Sequence, residues 1–224
     1  MNGLVHMLAE AEVFSKFTVS EREQLAGIAT KRVLERGETL CWQGDHWHFV
    51  FYITSGALKS TLMSPDGRTY VVSTWEQGVE FWGHTLFDGE GMPSTAEAVE
   101  DTTGYQWRGE DVLNKLFHNH DVIRALLRRQ TQLIRKRREN IYNLAFNPVI
   151  SRLAKLLVDQ FKNAESLTVQ RDLTLDQIAS MVASSPEVIC RTLYQLQRDG
   201  LLNVTRASIT LQDRDALERL IGVE

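Results

Sequence analysis

The side chains whose types and spacing could do chemistry lie between Thr174 and Leu202, in the run TLDQIASMVASSPEVICRTLYQLQRDGLL. Laid on a helix at about 100° per residue, the part after Ser185 separates into two faces. Ile189, Leu193 and Leu196 fall on one; Glu187, Cys190, Arg191, Tyr194 and Arg198 fall on the other. The second face sets one carboxylate and one bidentate guanidinium near a helix start. Arginine pairs with guanine and a carboxylate accepts from cytosine, so this pair suits base edges in a major groove. The bland alternative is a solvated amphipathic helix with Glu187 and Arg191 as an i,i+4 ion pair. Other chemistries have less support. The chain carries no P-loop, nucleophile elbow or His-Glu zinc pattern, so no enzyme is expected. His46-Trp47-His48 and His118-Asn119-His120 set imidazoles two residues apart, with no third ligand suggested nearby. Two distant cysteines, Cys41 and Cys190, fit reduced thiols in a cytoplasmic protein and are too few for a cysteine-held iron–sulfur cluster.

The elements that must hold the polar face can be read around it. Ser184-Ser185-Pro186-Glu187 is a helix start: a serine oxygen to cap, proline at the first position, glutamate against the positive end of the helix. Before it, Ile178 and Val182 give a first short helix an apolar face, and Ala179 permits close crossing. Residues 4–30 read as helical, with capping-box spacing at Ser20-Glu21-Arg22-Glu23. From Lys31 to about Trp107, short apolar or alternating runs are divided by glycine-rich turns, which implies an antiparallel sandwich or barrel. Pro65-Asp66-Gly67, between Leu58–Met63 and Thr69–Thr74, is the clearest hairpin. Glu110 to Phe117 is a short helix and Asp121 to Phe146 a long one. On the long helix Ile123, Leu127, Gln130, Ile134, Arg137, Ile141 and Leu144 alternate steps of four and three, a heptad seam that predicts helix pairing. A stripe packed on the chain's own sheet would look similar. The densely charged outer positions, Arg124, Arg128, Arg129, Arg135, Lys136, Arg138 and Glu139, favour pairing. Asn147-Pro148 closes this helix and opens another over Val149 to Gln160, with Asn147 as its cap.

The totals bound the reading. A chain of 224 residues holds one large domain or two modest ones, and 43% hydrophobic residues suits a folded protein. No uncharged apolar run approaches a membrane span, and the start lacks the pattern of a secretory signal. The net charge of −4 is awkward for a DNA binder. Residues 147–224 alone carry nine Lys and Arg against ten Asp and Glu. Weak non-specific affinity is expected, with contacts depending on local placement and on helix N-termini.

The run from Thr174 to Leu202 resembles the helix-turn-helix of the cyclic-AMP receptor / fumarate-and-nitrate-reduction regulator (CRP/FNR) family of transcription factors. Asn203 to Leu211 resembles its wing hairpin, Arg214 to Ile221 its closing helix, and Asn143-Leu144-Ala145-Phe146 its hinge. Ala183 stands where the family's turn usually carries glycine, at a small cost if positive φ is needed. The resemblance implies an α+β fold: an N-terminal antiparallel β-roll (a cyclic-nucleotide-binding-like jelly roll), a long dimerisation helix and a C-terminal winged helix-turn-helix. The implied boundaries are 1–118 for the effector-sensing roll, 119–146 for the dimerisation helix and 147–224 for the DNA-binding domain. It implies a homodimer on a palindromic double-stranded site, with RNA polymerase as a further partner if the protein activates. The candidate DNA contacts are Thr174, Ser185, Pro186, Glu187, Cys190 and Arg191.

In the family the effector pocket uses Gly-Glu-Leu for the ribose and Arg-Ser for the cyclic phosphate. The matching regions here are Gly83-His84-Thr85-Leu86-Phe87 and Met92-Pro93-Ser94-Thr95-Ala96, and neither the glutamate nor the arginine is present. A buried phosphate without its cation is strongly penalised, so cyclic AMP is disfavoured. His84 sits near the proximal histidine of the family's haem-containing carbon-monoxide sensor, which keeps haem open as a cofactor, as does an ordinary loop histidine. Phe81, Trp82, Gly83, His84, Thr85, Ser94, Thr95, Gln130, Arg137 and Arg138 are the candidate effector residues. The cationic and aromatic members could meet an anionic or aromatic ligand; a solvated helix face is the alternative for Arg137-Arg138.

Overall fold

The computed structural model describes residues 2–162 and 166–221. Two compact units emerge, one formed by Met1–Met63 with Val72–Arg137 and the other by Ser64–Val71 with Arg138–Glu224.

The first unit opens with helix α1 (Asn2–Glu10), a 3-10 turn (Phe14–Lys16) and α2 (Val19–Ile28). Thr18, and not Ser20, caps α2: its Oγ1 accepts from the Glu21 amide at 3.2 Å, and the Glu21 carboxylate accepts from the Thr18 N–H at 2.7 Å. Both serine/threonine positions are followed three residues later by glutamate, but only Thr18 precedes the apolar Val19 that starts the helix. Eight strands follow: β1 (Thr30–Leu34), β2 (Thr39–Cys41), β3 (Phe49–Ser55), β4 (Ala57–Met63), β5 (Thr69–Glu76), β6 (Glu80–Trp82), β7 (Thr95–Ala98) and β8 (Thr102–Arg108), with the short α3 (Thr85–Asp88) between β6 and β7. They form two four-stranded sheets, ordered β1-β8-β3-β6 and β2-β7-β4-β5. The expected antiparallel roll is therefore present.

Strand β3 shows why the roll has its place in the unit. Its apolar run is nearly continuous because both of its faces are covered. Phe51 and Ile53 point between the sheets, into a core with Leu34, Leu58, Phe81 and Met92. Val50 and Tyr52 point outward, into a second core with α1, Phe14, Trp82 and Trp107. That second core is closed by α4 (Gly109–Leu116) and the first turns of α5 (His120–Phe146), through Val112, Leu116, Val122 and Leu126.

Helix α5 has 27 residues, beginning one residue before the expected Asp121 and ending at the expected Phe146. It carries two stripes. Val122, Leu126 and Arg129 are buried, while Leu127, Ile134 and Ile141 of the heptad seam are 62–66% exposed. Arg129 thus departs from the charged outer face to which the sequence assigned it. Its guanidinium pairs with the Glu80 carboxylate and donates to the Glu80 carbonyl; Glu80 also accepts from the Val13 and Phe14 amides at 2.8 and 3.0 Å. Burial pushes the Glu80 carboxyl up, against the pull of Arg129 and of those two N–H groups.

In the second unit, α6 (Val149–Lys162) follows Pro148. Asn147 does not reach forward as the expected cap; its side-chain Nδ2 donates back to Asn143 Oδ1 at 2.7 Å. After α6 come β9 (Thr168–Gln170), α7 (Leu175–Val182), α8 (Pro186–Arg198), β10 (Leu202–Val204), β11 (Ser208–Leu211) and α9 (Arg214–Arg219). The wing has three strands, ordered β10-β11-β9. Strand β9 escaped the sequence reading because three residues around one inward Val169 give no alternation to detect. One core unites Leu153, Leu157 and Phe161 of α6 with Ile178, Val182, Ile189, Leu193 and Leu196 of α7 and α8.

Candidate nucleic-acid interface and candidate effector region

Thr174 caps α7: its Oγ1 accepts from the Gln177 amide at 3.2 Å, and the Gln177 side chain accepts from the Thr174 N–H at 2.8 Å. The helix ends at Ala183 with φ 52° and ψ 63°, the left-handed region. Among the described residues Ala183 is the one non-glycine with positive φ. Ser185 then caps α8, its Oγ accepting from the Val188 amide at 3.4 Å, and Pro186 occupies the first turn. The two faces read from the sequence are the two faces of α8. Ile189, Leu193 and Leu196 are buried, whereas Glu187, Arg191, Tyr194 and Arg198 are exposed and Cys190 is half-buried. A hydrogen bond from Ser185 holds the Glu187 carboxyl below its ordinary value. The structure therefore brings five of the candidate contacts, Ser185 through Arg191, onto the first turns of one helix, with Thr174 exposed at the start of its neighbour.

Beside α8 lies a groove of about 270 Å³, lined by Arg171, Cys190, Tyr194, Val204, Thr205 and Arg206 among others. Arg171 and Arg206 are cations beside the recognition face that sequence reasoning passed over. Their signal was available: each flanks a wing strand, but the strand on the Arg171 side went unseen. Arg152 was missed as well. It lies in the first turn of α6 and donates from Nε to the Val182 carbonyl at 2.8 Å, from one terminal nitrogen to the Asn147 carbonyl at 2.6 Å, and from the other to the Ala183 carbonyl at 3.2 Å.

The candidate effector residues are arranged differently. Phe81 and Trp82 lie on opposite faces of β6. Phe81 packs on Trp47 and Trp75 at 5.2 and 4.9 Å inside the roll, and Trp82 stacks on Phe14 at 5.8 Å outside it. Gly83 is required by close approach, since a Cβ there would lie 2.3 Å from the Trp47 carbonyl oxygen. Thr85 spends its hydroxyl on the Glu90 carbonyl at 2.7 Å. Ser94, in the stretch matched to the family's Arg-Ser, is buried with its hydroxyl 2.5 Å from that of Ser60. Thr95 accepts from the Gln43 amide at 3.0 Å. Gln130 and Arg137 are half-buried on α5, and Arg138 is exposed. His84 is half-buried, and its Nδ1, like the Trp82 Nε1, is buried without a partner. Burial pushes its pKa down, the Arg137 charge adds to the effect, and Asp88 opposes it.

Among the described residues no cluster of three or more His, Cys, Asp or Glu could hold a metal ion, and no helix is long and apolar enough to cross a membrane. Cys41 is buried and its thiol is pushed up to about 12, chiefly by desolvation, which makes it a poor nucleophile and ligand.

Comparison with known proteins agrees with this architecture. Residues 31–119 match the cyclic nucleotide-binding domain and residues 151–220 the Crp-like helix-turn-helix domain. The CRP-like cAMP-activated global transcriptional regulator of Mycobacterium tuberculosis is 24% identical over 218 residues, covering 95% of this chain and 97% of that protein. The transcriptional activator protein FnrA of Stutzerimonas stutzeri is 26% identical over 198 residues, covering 85% of this chain and 80% of its own. The crystal structure of a Crp/Fnr-family transcriptional regulator from Eubacterium rectale shares the fold, with a TM-score of 0.83 at 18% identity over 95% of this chain and 98% of that one. The chain belongs to the CRP/FNR family of DNA-binding transcription regulators, with a cyclic nucleotide-binding domain ahead of its helix-turn-helix.

Proposed function

We propose that the protein is a cytoplasmic, homodimeric, sequence-specific transcription regulator, not an enzyme, and that it responds to a signal bound at the β-roll. Its working parts are the roll (1–118), the dimerisation helix (119–146) and the winged helix-turn-helix (147–224). The observation that carries this reading is the exposed polar face of α8, where Glu187 and Arg191 stand in solvent at a capped helix start. Arg191 pairs with guanine and Glu187 accepts from cytosine; Ser185, Pro186, Cys190 and Thr174 surround them. The exposed stripe of Leu127, Ile134 and Ile141 supports pairing of α5 with a second copy, since three large apolar side chains in heptad register call for a partner. Two such recognition helices predict a palindrome with half-sites about one helical turn apart. RNA polymerase joins the partners if the protein activates.

Cyclic AMP, which gives the Mycobacterium relative its name, is not carried over. The stretch Met92–Ala96, matched to the family's Arg-Ser, carries no cation, and the Ser94 hydroxyl is already engaged with Ser60, so nothing there answers a cyclic phosphate. His84 and Arg137 instead favour an anionic or aromatic effector. Haem is the second reading, and one observation favours it: His84 is half-buried without a partner for its Nδ1, and burial favours the neutral ring, the form able to ligate iron. A Soret band in freshly purified protein is its expected signature, and a featureless visible spectrum removes it.

Selection from a random-sequence duplex pool tests the main reading. A symmetric site is expected to be enriched. An enriched but asymmetric site removes the homodimer, and no enrichment with or without cell extract leaves a regulator that acts by binding ligands or partners rather than DNA.

A further inference from the structure

Arg152 is not among the residues that line the groove beside α8, yet it touches the peptide groups that aim that helix. Its three hydrogen bonds go to backbone carbonyls of two segments far apart in sequence: Asn147, where α5 ends, and Val182 and Ala183, where α7 ends. The last carbonyls of a helix have no partner within it, and a cation at that end also meets the negative pole of the helix. The carbonyls of Val182 and Ala183 are of that kind. They belong to a turn of unusual demand, because Ala183 is held in the left-handed region without the freedom of glycine. Two backbone bonds from inside the motif assist, the Ala183 and Ser184 amides both donating to the Ala179 carbonyl. Only Ala183, Ser184 and Ser185 separate α7 from α8. The orientation of these three peptides therefore fixes the angle between the two helices.

We infer that Arg152 is a positioning residue for base recognition: one guanidinium ties the end of α5 at Asn147 to the Val182–Ala183 turn and so sets the angle at which α8 presents Glu187 and Arg191. The planar fork matters. Its nitrogens point in fixed, divergent directions and can serve carbonyls on two sides at once, whereas an ammonium is a single point that must choose. Charge alone is not the requirement, and lysine should not substitute. The tie also has a consequence for signalling. A change in the direction of α5 near Asn147 reaches the helix-turn-helix through this side chain as well as through the covalent chain, because the same group holds both ends. The inference rests on the DNA-recognition reading given above.

The test compares the full-length wild type with Arg152→Lys and Arg152→Gln. Two duplexes serve as probes: the site recovered by random-sequence selection on the wild type, and a scrambled duplex of the same composition. Affinity for each is measured across a range of salt concentrations, and amide hydrogen exchange is followed in the free proteins. If Arg152 sets the angle, Arg152→Lys loses about tenfold on the selected site and less than about twofold on the scrambled one, with the salt slope unchanged. Exchange speeds up at Ser184 to Val188 and stays slow at Leu157 and Val158 inside α6. A merely structural role lowers both affinities by a common factor, through the active fraction, and leaves their ratio intact; that result overturns the inference. So does a salt slope reduced by about one, which makes Arg152 a phosphate contact. Exchange at 184–188 equal to wild type overturns it without reference to DNA. Should the wild type itself enrich no sequence, the DNA-recognition reading fails and the positioning role falls with it, an outcome distinguishable because it appears before any variant is made.

Discussion

The reading face of α8 and the interior of the β-roll spend their polar groups in opposite ways. On α8, Glu187, Arg191, Tyr194 and Arg198 are held out in solvent, and the caps at Thr174 and Ser185 satisfy the backbone so that these side chains remain available. In the roll and its outer core, polar groups are drawn inward and closed on one another: Arg129 with Glu80, Ser94 with Ser60, Thr95 with the Gln43 amide. Glu80 is 1% exposed and Arg129 7%. The difference is physical. A surface that reads a separate molecule keeps its donors and acceptors unspent, because each must exchange water for a base or phosphate. A body that holds a long helix in place must leave no buried charge unpaired, since an orphan costs several kcal/mol.

The sharpest way to break this contrast is to remove one member of the buried pair. Arg129→Met leaves the Glu80 carboxylate with two backbone N–H groups and no cation, and should cost about 3–5 kcal/mol in urea unfolding near neutral pH. The sign with pH follows. Without Arg129 the folded-state pKa of Glu80 rises further above the ordinary 4.5, so the lost stability shrinks as the solution is acidified and the carboxyl takes up a proton. The double variant Glu80→Gln/Arg129→Met should be less damaged than Arg129→Met alone. An Arg129→Met protein as stable as wild type removes the contrast altogether.

That contrast also decided what the sequence revealed. The helix-turn-helix was legible because its logic is local: Ile189, Leu193 and Leu196 declare the buried face within eight residues, and Ser185-Pro186 declares the start. The roll was legible as alternating short strands, and α5 as a heptad. Arg129 was not. It lies among arginines on a charged helix, and its partner Glu80 is 49 residues earlier, in a stretch with no periodicity to mark it. Arg152 was hidden for the same reason, its acceptors at Val182 and Ala183 lying 30 and 31 residues onward. Charged residues engaged at long range look identical in sequence to charged residues in water.

The counterpart variant on the reading face should act on DNA alone. Arg191→Ala is expected to cost about 1–3 kcal/mol of binding and to relax the choice at one guanine in each half-site, with the unfolding curve unmoved. A loss equal on all sequences makes Arg191 a phosphate contact, and a loss of folding stability comparable to that of Arg129→Met blurs the distinction between the two regions.

A smaller effect is expected at Ala183. Glycine there removes the penalty that a Cβ suffers in the left-handed region but adds freedom to the unfolded chain, so Ala183→Gly should stabilise by about 0.5–1 kcal/mol. Thermal unfolding of the full chain measures it. If the turn is instead held so firmly by Arg152 and the Ala179 carbonyl that no penalty is felt, the variant will be no more stable than wild type.

The smallest effect concerns His84, which shares with Trp82 a buried ring nitrogen without a hydrogen-bond partner and, unlike Trp82, titrates near neutral pH. Burial and then Arg137 lower its pKa below the ordinary 6.5, so the folded protein prefers the neutral ring while the unfolded chain still takes up a proton near 6.5. The stability this gives is present in full above the unfolded value and is lost as pH falls through the folded one. Wild type should therefore weaken relative to His84→Gln as pH drops from about 7 to about 5, read as the difference between two urea unfolding series. A ligand anion set against His84 and Arg137 reverses the preference, because negative charge favours the imidazolium; the two series then converge when that anion is present. If they run parallel without any ligand, His84 titrates alike in both states, and its open nitrogen has no bearing on the stability of the roll unit.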